Sequence, residues 1–430
     1  MFFRSVQSDR TESEELRTQG TKMIKYVSDY WKNIGKRQVL PNVSPGYLAP
    51  LLPAEAPKEA ESMEDIMKDI ERVIMPGITH WQHPHFHAYF PTGASYPSLC
   101  ADILSSGISC VGFSWAASPA CTELEVVMMD WLAKLTNLPQ DFMSSGNGGG
   151  VIQGSASEAT LIALLTARTR AIAKYIEEHP KASAFEAASK LVGYHSDQAH
   201  SSVERAGLIG MMRFHKVPTG ASREFTGDAL REAIEKDVLD GLIPFFCTAT
   251  LGTTASCAMD RLDELGPVCQ QFKMWLHVDA AYAGSAFICP EFQHYMNGHW
   301  HIPLGRRFRS LKLWFVLRRY GVNGLQKHIR NHVALAKYFE ELITKDERFE
   351  VCNEVIFGLV CFRIKNDNEK TKKLYEGIHN DGRVYMVPSE FTQPEPIYFI
   401  RFMVCHRFAT SEDIDFAYKV IREVMEKEFN

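Results

Sequence analysis

The stretch GGGVIQGSASE at residues 148–158 marks the point where the chain takes on the pattern of an α/β protein. A short apolar run, Val151–Gln153, leads through small and hydroxylated residues into a helix that we predict over Glu158–Glu178. From here onward, short apolar runs alternate with amphipathic stretches, which is typical of a parallel sheet covered by helices. The further strands that this pattern predicts are Lys190–Tyr194, Ile243–Thr250 and Met274–Val278. The carboxyl ends of such strands line the ligand crevice of an open α/β sheet.

The segments on either side of this region have different patterns. Residues 12–72 combine amphipathic helical stretches with a proline-rich connector at Leu40–Pro57, which predicts a helical arm that packs on a second subunit. After the sheet region, the sequence predicts a small α+β domain. Its predicted elements are a helix over Leu311–Ile343, strands near Phe349 and at Leu359–Ile364, Val384–Val387 and Tyr398–Met403, a helix near Leu374 and a closing helix from Thr410. We therefore expect a helical N-terminal arm at 1–92, a large domain at 93–310 and a small domain at 311–430.

The composition is that of an ordinary soluble protein, with 45% hydrophobic and 23% charged residues. The net charge is -5 and there is no Lys/Arg run, which argues against a nucleic-acid partner. The ten cysteines form no C-x-x-C pair, so we expect buried thiols in a reducing compartment. The polar N-terminus lacks a signal peptide, and no window resembles a membrane span. These features predict a cytoplasmic protein without a membrane partner.

Three short motifs follow or enter predicted elements and could carry chemistry. Residues 154–158 offer N–H groups and hydroxyls to an anion, although an ordinary helix cap is the more common origin of such a pattern. Asp279 ends an apolar strand, where its carboxylate could hold a pyridinium nitrogen protonated, but a turn-forming Asp is the more common role. His200 follows another strand and could stack on a flat cofactor, although a lone His is more often structural. Their order along successive strands favours one shared cofactor site.

Five segments together resemble the group II pyridoxal-phosphate decarboxylases. They are ELE at 123–125, QGSASEAT at 153–160, SDQAHSSVE at 196–204, ATLGTT at 249–254 and HVDAAYAG at 277–284. The resemblance covers nearly the whole chain and is nearest to the branch that acts on aromatic L-amino acids, with the histidine decarboxylases second. It implies fold type I with a mostly parallel sheet of the seven-stranded kind, pyridoxal 5'-phosphate as cofactor and a homodimer. It also implies the conversion of substrates such as dopa or 5-hydroxytryptophan to amines and CO2, hence a place in catecholamine biosynthesis.

The resemblance assigns roles to individual residues of the predicted cofactor site. Ala156 and Ser157 correspond to the phosphate-binding residues, and Thr254 contacts the cofactor. His200 stacks on the cofactor ring and Asp279 pairs with the pyridine nitrogen, so these two are the predicted catalytic residues.

The resemblance also places a substrate mouth. The matching residues are Trp81, Tyr89, Phe90, Thr92 and Gly305. Their aromatic side chains suit an aromatic substrate. Gly305 favours aromatic substrates over histidine, because the histidine decarboxylases tend to carry Ser there.

Three histidines alternate in His83-Pro-His85-Phe-His87, where the matching family segment has Phe at position 87. Alternation of this kind can indicate a metal site. No fourth ligand or carboxylate follows at a metal-like spacing, and a prolyl, extended stretch explains the alternation. We therefore predict no metal.

One part of the family pattern is missing. Met296–Gly298 runs directly into His299–His301, and no lysine occurs between Lys273 and Lys312. The family carries its cofactor-binding lysine in this interval, with two sheet strands and a mobile loop that bears a catalytic Tyr. Lys312 lies in an amphipathic stretch beside Trp314, which is typical of a snorkelling side chain. We therefore expect no covalent lysine link, two strands fewer in the sheet, and turnover that is lost or severely reduced.

Several explanations of this interruption stay open at the level of sequence. The chain is either a splice variant or an incomplete gene model of an active decarboxylase. A different class of function is a catalytically inactive chain that dimerises with a full-length decarboxylase and modulates it. The sequence does not rank these alternatives.

Overall fold

A computed structural model describes residues 6–146, 148–296, 310–392 and 395–429 of the 430-residue chain. The α-helices in these ranges are α1 (Val6–Asn33), α2 (Met63–Asp69), α3 (Tyr96–Ile108), α4 (Pro119–Leu135), α5 (Ala156–Glu178), α6 (Ala184–Lys190), α7 (Ser202–Gly210), α8 (Gly227–Leu239), α9 (Leu262–Gln271), α10 (Ser310–Lys345), α11 (Asn368–Asp381) and α12 (Ser411–Phe429). The strands are β1 (Leu191–Ser196), β2 (Arg213–Val217), β3 (Ile243–Thr250), β4 (Trp275–Asp279), β5 (Phe349–Val351), β6 (Leu359–Ile364), β7 (Val387–Phe391) and β8 (Ile397–Met403).

The large domain is built on a parallel sheet with the strand order β2-β1-β3-β4. Strand β1 is buried along its whole length and β3 over most of it, as expected for a parallel sheet covered on both faces. The predicted strands at 190–194, 243–250 and 274–278 are confirmed within one or two residues. Strand β2 was not predicted, because its exposed Arg213 and Lys216 give it the polar character of an edge strand.

The predicted strand at Val151–Gln153 is wrong, since these residues belong to no strand of the described sheet. The backbone N–H of Ile152 donates instead to Oε1 of Glu125 in α4, at 2.8 Å. A side chain thus satisfies a backbone group that a ladder would otherwise pair. The described part of the sheet has four strands, fewer than the seven-stranded kind, whereas the predicted α/β fold class is confirmed.

The small domain is an antiparallel sheet with the order β5-β6-β8-β7. One face, which carries Phe362 and Phe402, forms a core with α11 and α12. The other face, which carries Phe399 and Met403, belongs to the core of the large domain. The two domains are therefore joined through the small sheet.

Helix α10 links the two domains and breaks at Gly321, which has φ 65° and ψ 173°. We predicted a single helix here. Before the break, Lys312 forms an ion pair with Asp102 of α3, and after it Tyr338 donates to Asp415 of α12 at 2.7 Å. The break thus lies between a half that contacts α3 of the large domain and a half that contacts α12 of the small domain.

None of the helices in the described ranges is both long enough and apolar enough to span a membrane. Cys247, Cys289 and Cys361 are buried thiols, as predicted for cysteines in apolar runs.

Candidate active site

The candidate site lies at the carboxyl edge of the parallel sheet. Strands β1, β3 and β4 are neighbours, and Thr250 of β3 is in register with Asp279 of β4. His200 follows the end of β1, and Thr254 follows the end of β3. Parallel strands all end at the same edge of a sheet. The predicted cofactor residues His200, Thr254 and Asp279 therefore lie along this carboxyl edge.

Helix α5 starts with the residues predicted to hold a phosphate group. Ala156 and Ser157 are its first two residues and both are exposed. Ser155 is the N-cap, whose hydroxyl accepts the Glu158 N–H at 3.1 Å. Further along the helix, Thr160 contacts Nε2 of His277 in β4 at 3.2 Å, in the buried core. The helix is thereby fixed to the strand that carries Asp279, with its positive N-terminal end available to an anion.

Asp279 is a buried carboxylate, only 8% exposed, at the last position of β4. Its Oδ1 accepts the Ala281 N–H at 3.1 Å, and no ion pair within the described ranges involves it. A buried carboxylate normally has a cationic partner. The Asp279 carboxylate fits the protonated ring nitrogen of pyridoxal phosphate, which would be its cationic partner.

His200 stands in the turn between β1 and α7, and its ring is exposed. Its Nδ1 accepts the Ser202 N–H at 3.2 Å and lies 2.9 Å from the Ser202 hydroxyl. Since Nδ1 is an acceptor, the neutral ring carries its proton on Nε2. The turn therefore fixes the ring and leaves its Nε2–H as a hydrogen-bond donor.

The predicted substrate residues form an aromatic wall that reaches this edge. Trp81 stacks on Tyr89 with ring centroids 5.2 Å apart. Phe90 stacks on Tyr282 at 3.7 Å, and Tyr282 follows Asp279 by three residues. Tyr89 has a φ of 56°, a left-handed conformation that is uncommon for a residue with a side chain and is often found at functional sites.

Other predicted residues make smaller contributions to the described site. Thr254 and Thr92 are exposed, and Thr92 contributes its carbonyl oxygen, which accepts the Gln82 side-chain amide at 3.1 Å. Gly305 lies outside the described residues.

Three residues of this region were not predicted as site residues. Tyr282 stood within a quoted motif without a role. Tyr385, from the small domain, has its hydroxyl 3.1 Å from the Tyr89 hydroxyl. Arg401 has its guanidinium carbon 5.0 Å from the Phe90 ring centre. A single charged residue within the apolar run IYFIRFMV at 397–404 was the one available signal for Arg401.

The three alternating histidines serve as structural contacts. His83 contacts the Arg37 carbonyl through Nε2 at 3.1 Å, and His87 contacts the Met403 carbonyl through Nδ1 at 3.0 Å. His85 stacks on Phe416. Burial lowers the pKa of His83 to about 4 and that of His87 to about 3, so both rings are neutral at neutral pH. Within the described ranges, no group of three or more His, Cys, Asp or Glu side chains is arranged to bind a metal.

Lys312, the nearest lysine after the interruption, is half-exposed on α10. Its Nζ lies 2.6 Å from Oδ2 of Asp102. The side chain is thus engaged in a surface ion pair.

The parallel sheet, the strand-end carboxylate and the adjoining small domain are consistent with the resemblance to pyridoxal-phosphate proteins of fold type I, and solved structures of pyridoxal-phosphate decarboxylases share the fold. The family "Pyridoxal-dependent decarboxylase conserved domain" matches residues 45–299 and 296–365. The aromatic-L-amino-acid decarboxylase of Manduca sexta is 49% identical over 458 residues, covering 93% of this chain and 90% of the relative. That of Mus musculus is 48% identical, covering 96% of this chain and 98% of the relative. The chain therefore belongs to the pyridoxal-dependent decarboxylases, whose cofactor is pyridoxal phosphate.

The solved structures agree with this assignment. Catharanthus roseus tryptophan decarboxylase, in complex with L-tryptophan, is similar with a TM-score of 0.90 and 37% identity. The similarity covers 96% of this chain and 98% of that structure.

The comparisons also bear on the interruption in the family pattern. The family match falls into two pieces that overlap at residues 296–299, and this overlap includes Gly298 of the junction. The alignment with the Manduca sexta relative is 458 residues long, more than the 430 residues of this chain. That relative therefore has residues without counterparts here.

Proposed function

We propose that this chain binds pyridoxal phosphate and decarboxylates aromatic L-amino acids of the dopa and 5-hydroxytryptophan class, at a much lower rate than its full-length relatives. The observation that supports this most directly is the buried carboxylate of Asp279, without an ion-pair partner in the described ranges, beside the stacked rings of Tyr282 and Phe90. The cationic ring nitrogen of the cofactor fits the Asp279 carboxylate, and the aromatic side chain of the substrate fits the rings of Tyr282 and Phe90.

Each residue of the proposed site has a separate role. Pyridoxal phosphate, when bound, supplies the electron sink for loss of the carboxylate. Asp279 keeps the ring nitrogen protonated, and the first turn of α5, at Ala156 and Ser157, binds the phosphate. His200 would cover the ring, and in its doubly protonated form it could deliver the Nε2 proton to the substrate carbon and return to the neutral imidazole.

The reduced rate follows from the missing lysine. Without a covalent link, the cofactor is held by non-covalent contacts alone, and substrate entry and product release are slowed. The sequence also lacks a counterpart of the catalytic Tyr that the family carries on its mobile loop, so proton delivery depends on His200.

The test is CO2 release by the purified chain with added pyridoxal phosphate, using L-dopa, 5-hydroxy-L-tryptophan and L-histidine side by side. The mouse relative serves as the full-activity reference. We expect slow release from the two aromatic substrates, less from histidine, and none from Asp279→Asn. Release from histidine above that from both aromatic substrates would favour the histidine decarboxylase alternative.

A second candidate function is supported by the exposed apolar surface around α3 and α4. Its exposed residues include Ile103, Leu104, Ile108, Phe113, Trp115 and Trp131, and Phe113 is 75% exposed. Such a surface is typical of a subunit interface. We infer that the chain forms homodimers, or heterodimers with a full-length subunit that it modulates without turnover of its own. Co-expression of tagged chain with a full-length paralogue, followed by affinity capture and activity measurement, tests this.

Two further inferences concern the origin and location of the protein. We propose that it is a cytoplasmic protein, on the basis of its buried thiols. We also propose that the chain is a splice variant or an incomplete gene model. Sequencing of the genomic locus tests the second inference, because absence of an exon for the missing segment would contradict it.

A further inference from the structure

Two thiols lie in contact where the α3–α4 connection, residues 109–118, reaches α4. The Sγ atoms of Cys110 and Cys121 are 3.9 Å apart, and both cysteines are free. A disulfide holds its sulfur atoms about 2.0 Å apart, so an approach of about 2 Å would join them. Cys121 stands in the first turn of α4, whereas Cys110 belongs to no helix or strand. The connection can therefore supply the movement while α4 stays in place.

The two thiols differ in their access to solvent. Cys121 is buried, with 4% of its surface exposed, whereas Cys110 is partly exposed. Burial, together with the neighbouring Cys110 thiol, raises the pKa of Cys121 to about 11. A small-molecule oxidant therefore reaches Cys110 first, and Cys121 is close enough to react with a modified Cys110 without being reached from solvent. An accessible thiol beside a second, resolving cysteine is a common arrangement in redox sensors.

The segment between the two cysteines is apolar and exposed. Val111, Phe113 and Trp115 all lie on the surface. The Trp115 indole N–H donates to Oε1 of Glu123 in α4 at 2.8 Å, so the connection already lies against this helix when the thiols are in contact. A bond between the thiols would fix the observed conformation of the connection.

We propose that Cys110 and Cys121 form a reversible disulfide that fixes the α3–α4 connection on α4. The oxidant is a small-molecule disulfide of the glutathione type. The Cys110 sulfur loses its proton to solvent and attacks one sulfur of the oxidant, whose S–S bond breaks and releases one thiol after proton uptake. The Cys121 sulfur then loses its proton, attacks the Cys110 sulfur and displaces the second thiol. Two protein thiols are thereby oxidised while the oxidant disulfide is reduced to two thiols.

The expected consequence is a change in subunit association. Phe113 and Trp115 belong to the exposed apolar surface around α3 and α4, and a segment that is held in one conformation loses less entropy on binding. Oxidation should therefore strengthen association through this surface. This consequence rests on the subunit interface proposed above, whereas the disulfide itself does not.

The test is incubation of the full chain with oxidised glutathione, followed by alkylation of the remaining thiols, chymotryptic digestion and mass spectrometry. Chymotrypsin cleaves after Phe113 and Trp115, so Cys110 and Cys121 fall on separate peptides that only a disulfide keeps joined. We expect the joined peptides in the oxidised sample and their loss after dithiothreitol. Cys121→Ser should retain glutathione on Cys110, whereas Cys110→Ser should leave the buried Cys121 unmodified.

Cys247 and Cys269 provide a matched control, because their side chains also contact each other but both are buried. This pair should stay reduced while Cys110 and Cys121 are oxidised. Absence of the joined peptides would overturn the proposal, as would equal oxidation of the buried pair. A disulfide from Cys110 or Cys121 to the exposed Cys100 of α3 would also overturn it.

Sedimentation equilibrium separates this proposal from the proposed interface. The Cys100→Ser background is used, because it removes an exposed thiol from α3. We expect the oxidised chain to associate several-fold more tightly than the reduced chain, and Cys110→Ser to associate equally in both states. Joined peptides with equal association in both states would support the disulfide and contradict an interface at this connection. Association of the reduced chain without joined peptides in the oxidised sample would do the reverse.

Discussion

At the scale of single residues, His87 is a polar side chain in an apolar position. Its ring is stacked on Phe402 with centroids 4.2 Å apart, and its buried Nε2 has no hydrogen-bond partner among the residues that the structure describes. Burial lowers the pKa of His87 to about 3 from about 6.5. Because the unfolded chain binds a proton at a higher pH than the folded chain does, stability is lost as the pH falls from about 6.5 towards 3.

We expect His87→Phe, which restores the residue of the matching family segment, to make the loss of Tm between pH 7 and pH 4 smaller, because it removes a buried group that takes up a proton on unfolding. At neutral pH the net effect on stability should be small, because the change removes the unsatisfied Nε2 and also the Nδ1 contact with the Met403 carbonyl. His379→Phe, at an exposed position, is the control and should leave the pH dependence unchanged. An equal pH dependence in His87→Phe and the parent chain would contradict this account.

The candidate site residues that the sequence could indicate are those whose position depends on a nearby strand end or helix start. His200, Asp279 and Ser157 are of this kind, since each stands within a few residues of a strand end or at the start of a helix. Tyr385 and Arg401 could not be found this way, because they reach the site through the packing of the small domain. The Tyr89 and Tyr385 hydroxyls meet across 296 residues of chain.

At the scale of elements, the start of α5 combines a cap with a predicted phosphate site. We expect Ser155→Ala to lower the free energy of unfolding by about 1 kcal/mol, because it removes the acceptor of the Glu158 N–H. It should also weaken pyridoxal phosphate binding several-fold, since the first-turn N–H groups lose their alignment.

Ser183 offers a matched control, because it caps α6 through the Glu186 N–H at 3.1 Å. Ser183→Ala should have a similar effect on stability in chemical denaturation and none on a cofactor titration. If both variants changed cofactor affinity equally, the start of α5 would not be the phosphate site.

The break in α10 gives a second prediction at this scale. Gly321 has a backbone conformation that is almost confined to glycine, and a methyl group added there would meet no described atom within 4 Å. We therefore expect Gly321→Ala to destabilise the protein by about 1–3 kcal/mol through backbone strain alone. Gly324→Ala, at an exposed helical position three residues later, should instead stabilise it by about 0.5–1 kcal/mol. Opposite shifts in Tm distinguish strain from a general effect of the methyl group.

The helix prediction over Leu311–Ile343 missed this break for a physical reason. A glycine within an amphipathic pattern signals either a tolerated residue or a change of direction, and periodicity does not separate the two. The break becomes necessary only because the two halves of α10 pack on different domains, which is a property of the assembled fold.

At the scale of the whole molecule, the fold retains both domains while the parallel sheet ends at β4 in the described part of the chain. The periodicity of residues 148–280 was sufficient to predict three of its four strands, because buried parallel strands read as continuous apolar runs. The residues proposed for the phosphate, ring-nitrogen and aromatic contacts lie in the described ranges, whereas the sequence has no lysine between Lys273 and Lys312 to serve as the family's covalent anchor. Lys216 stands near the carboxyl end of the edge strand β2, where its ammonium pairs with Glu204 at 3.2 Å.

This division leads to a prediction about cofactor retention. We expect pyridoxal phosphate to be lost from the chain on dialysis, and reduction with borohydride to trap no stoichiometric adduct on Lys312. The described partner of the Lys312 ammonium is Asp102 on the surface of α3, which is not one of the candidate cofactor residues. Peptide mass spectrometry measures the adduct, with the exposed Lys345 as a reference for non-specific labelling. A stoichiometric Lys312 adduct that disappears in Asp279→Asn would contradict this prediction, because it would place Lys312 at the cofactor site and give the chain a covalent anchor.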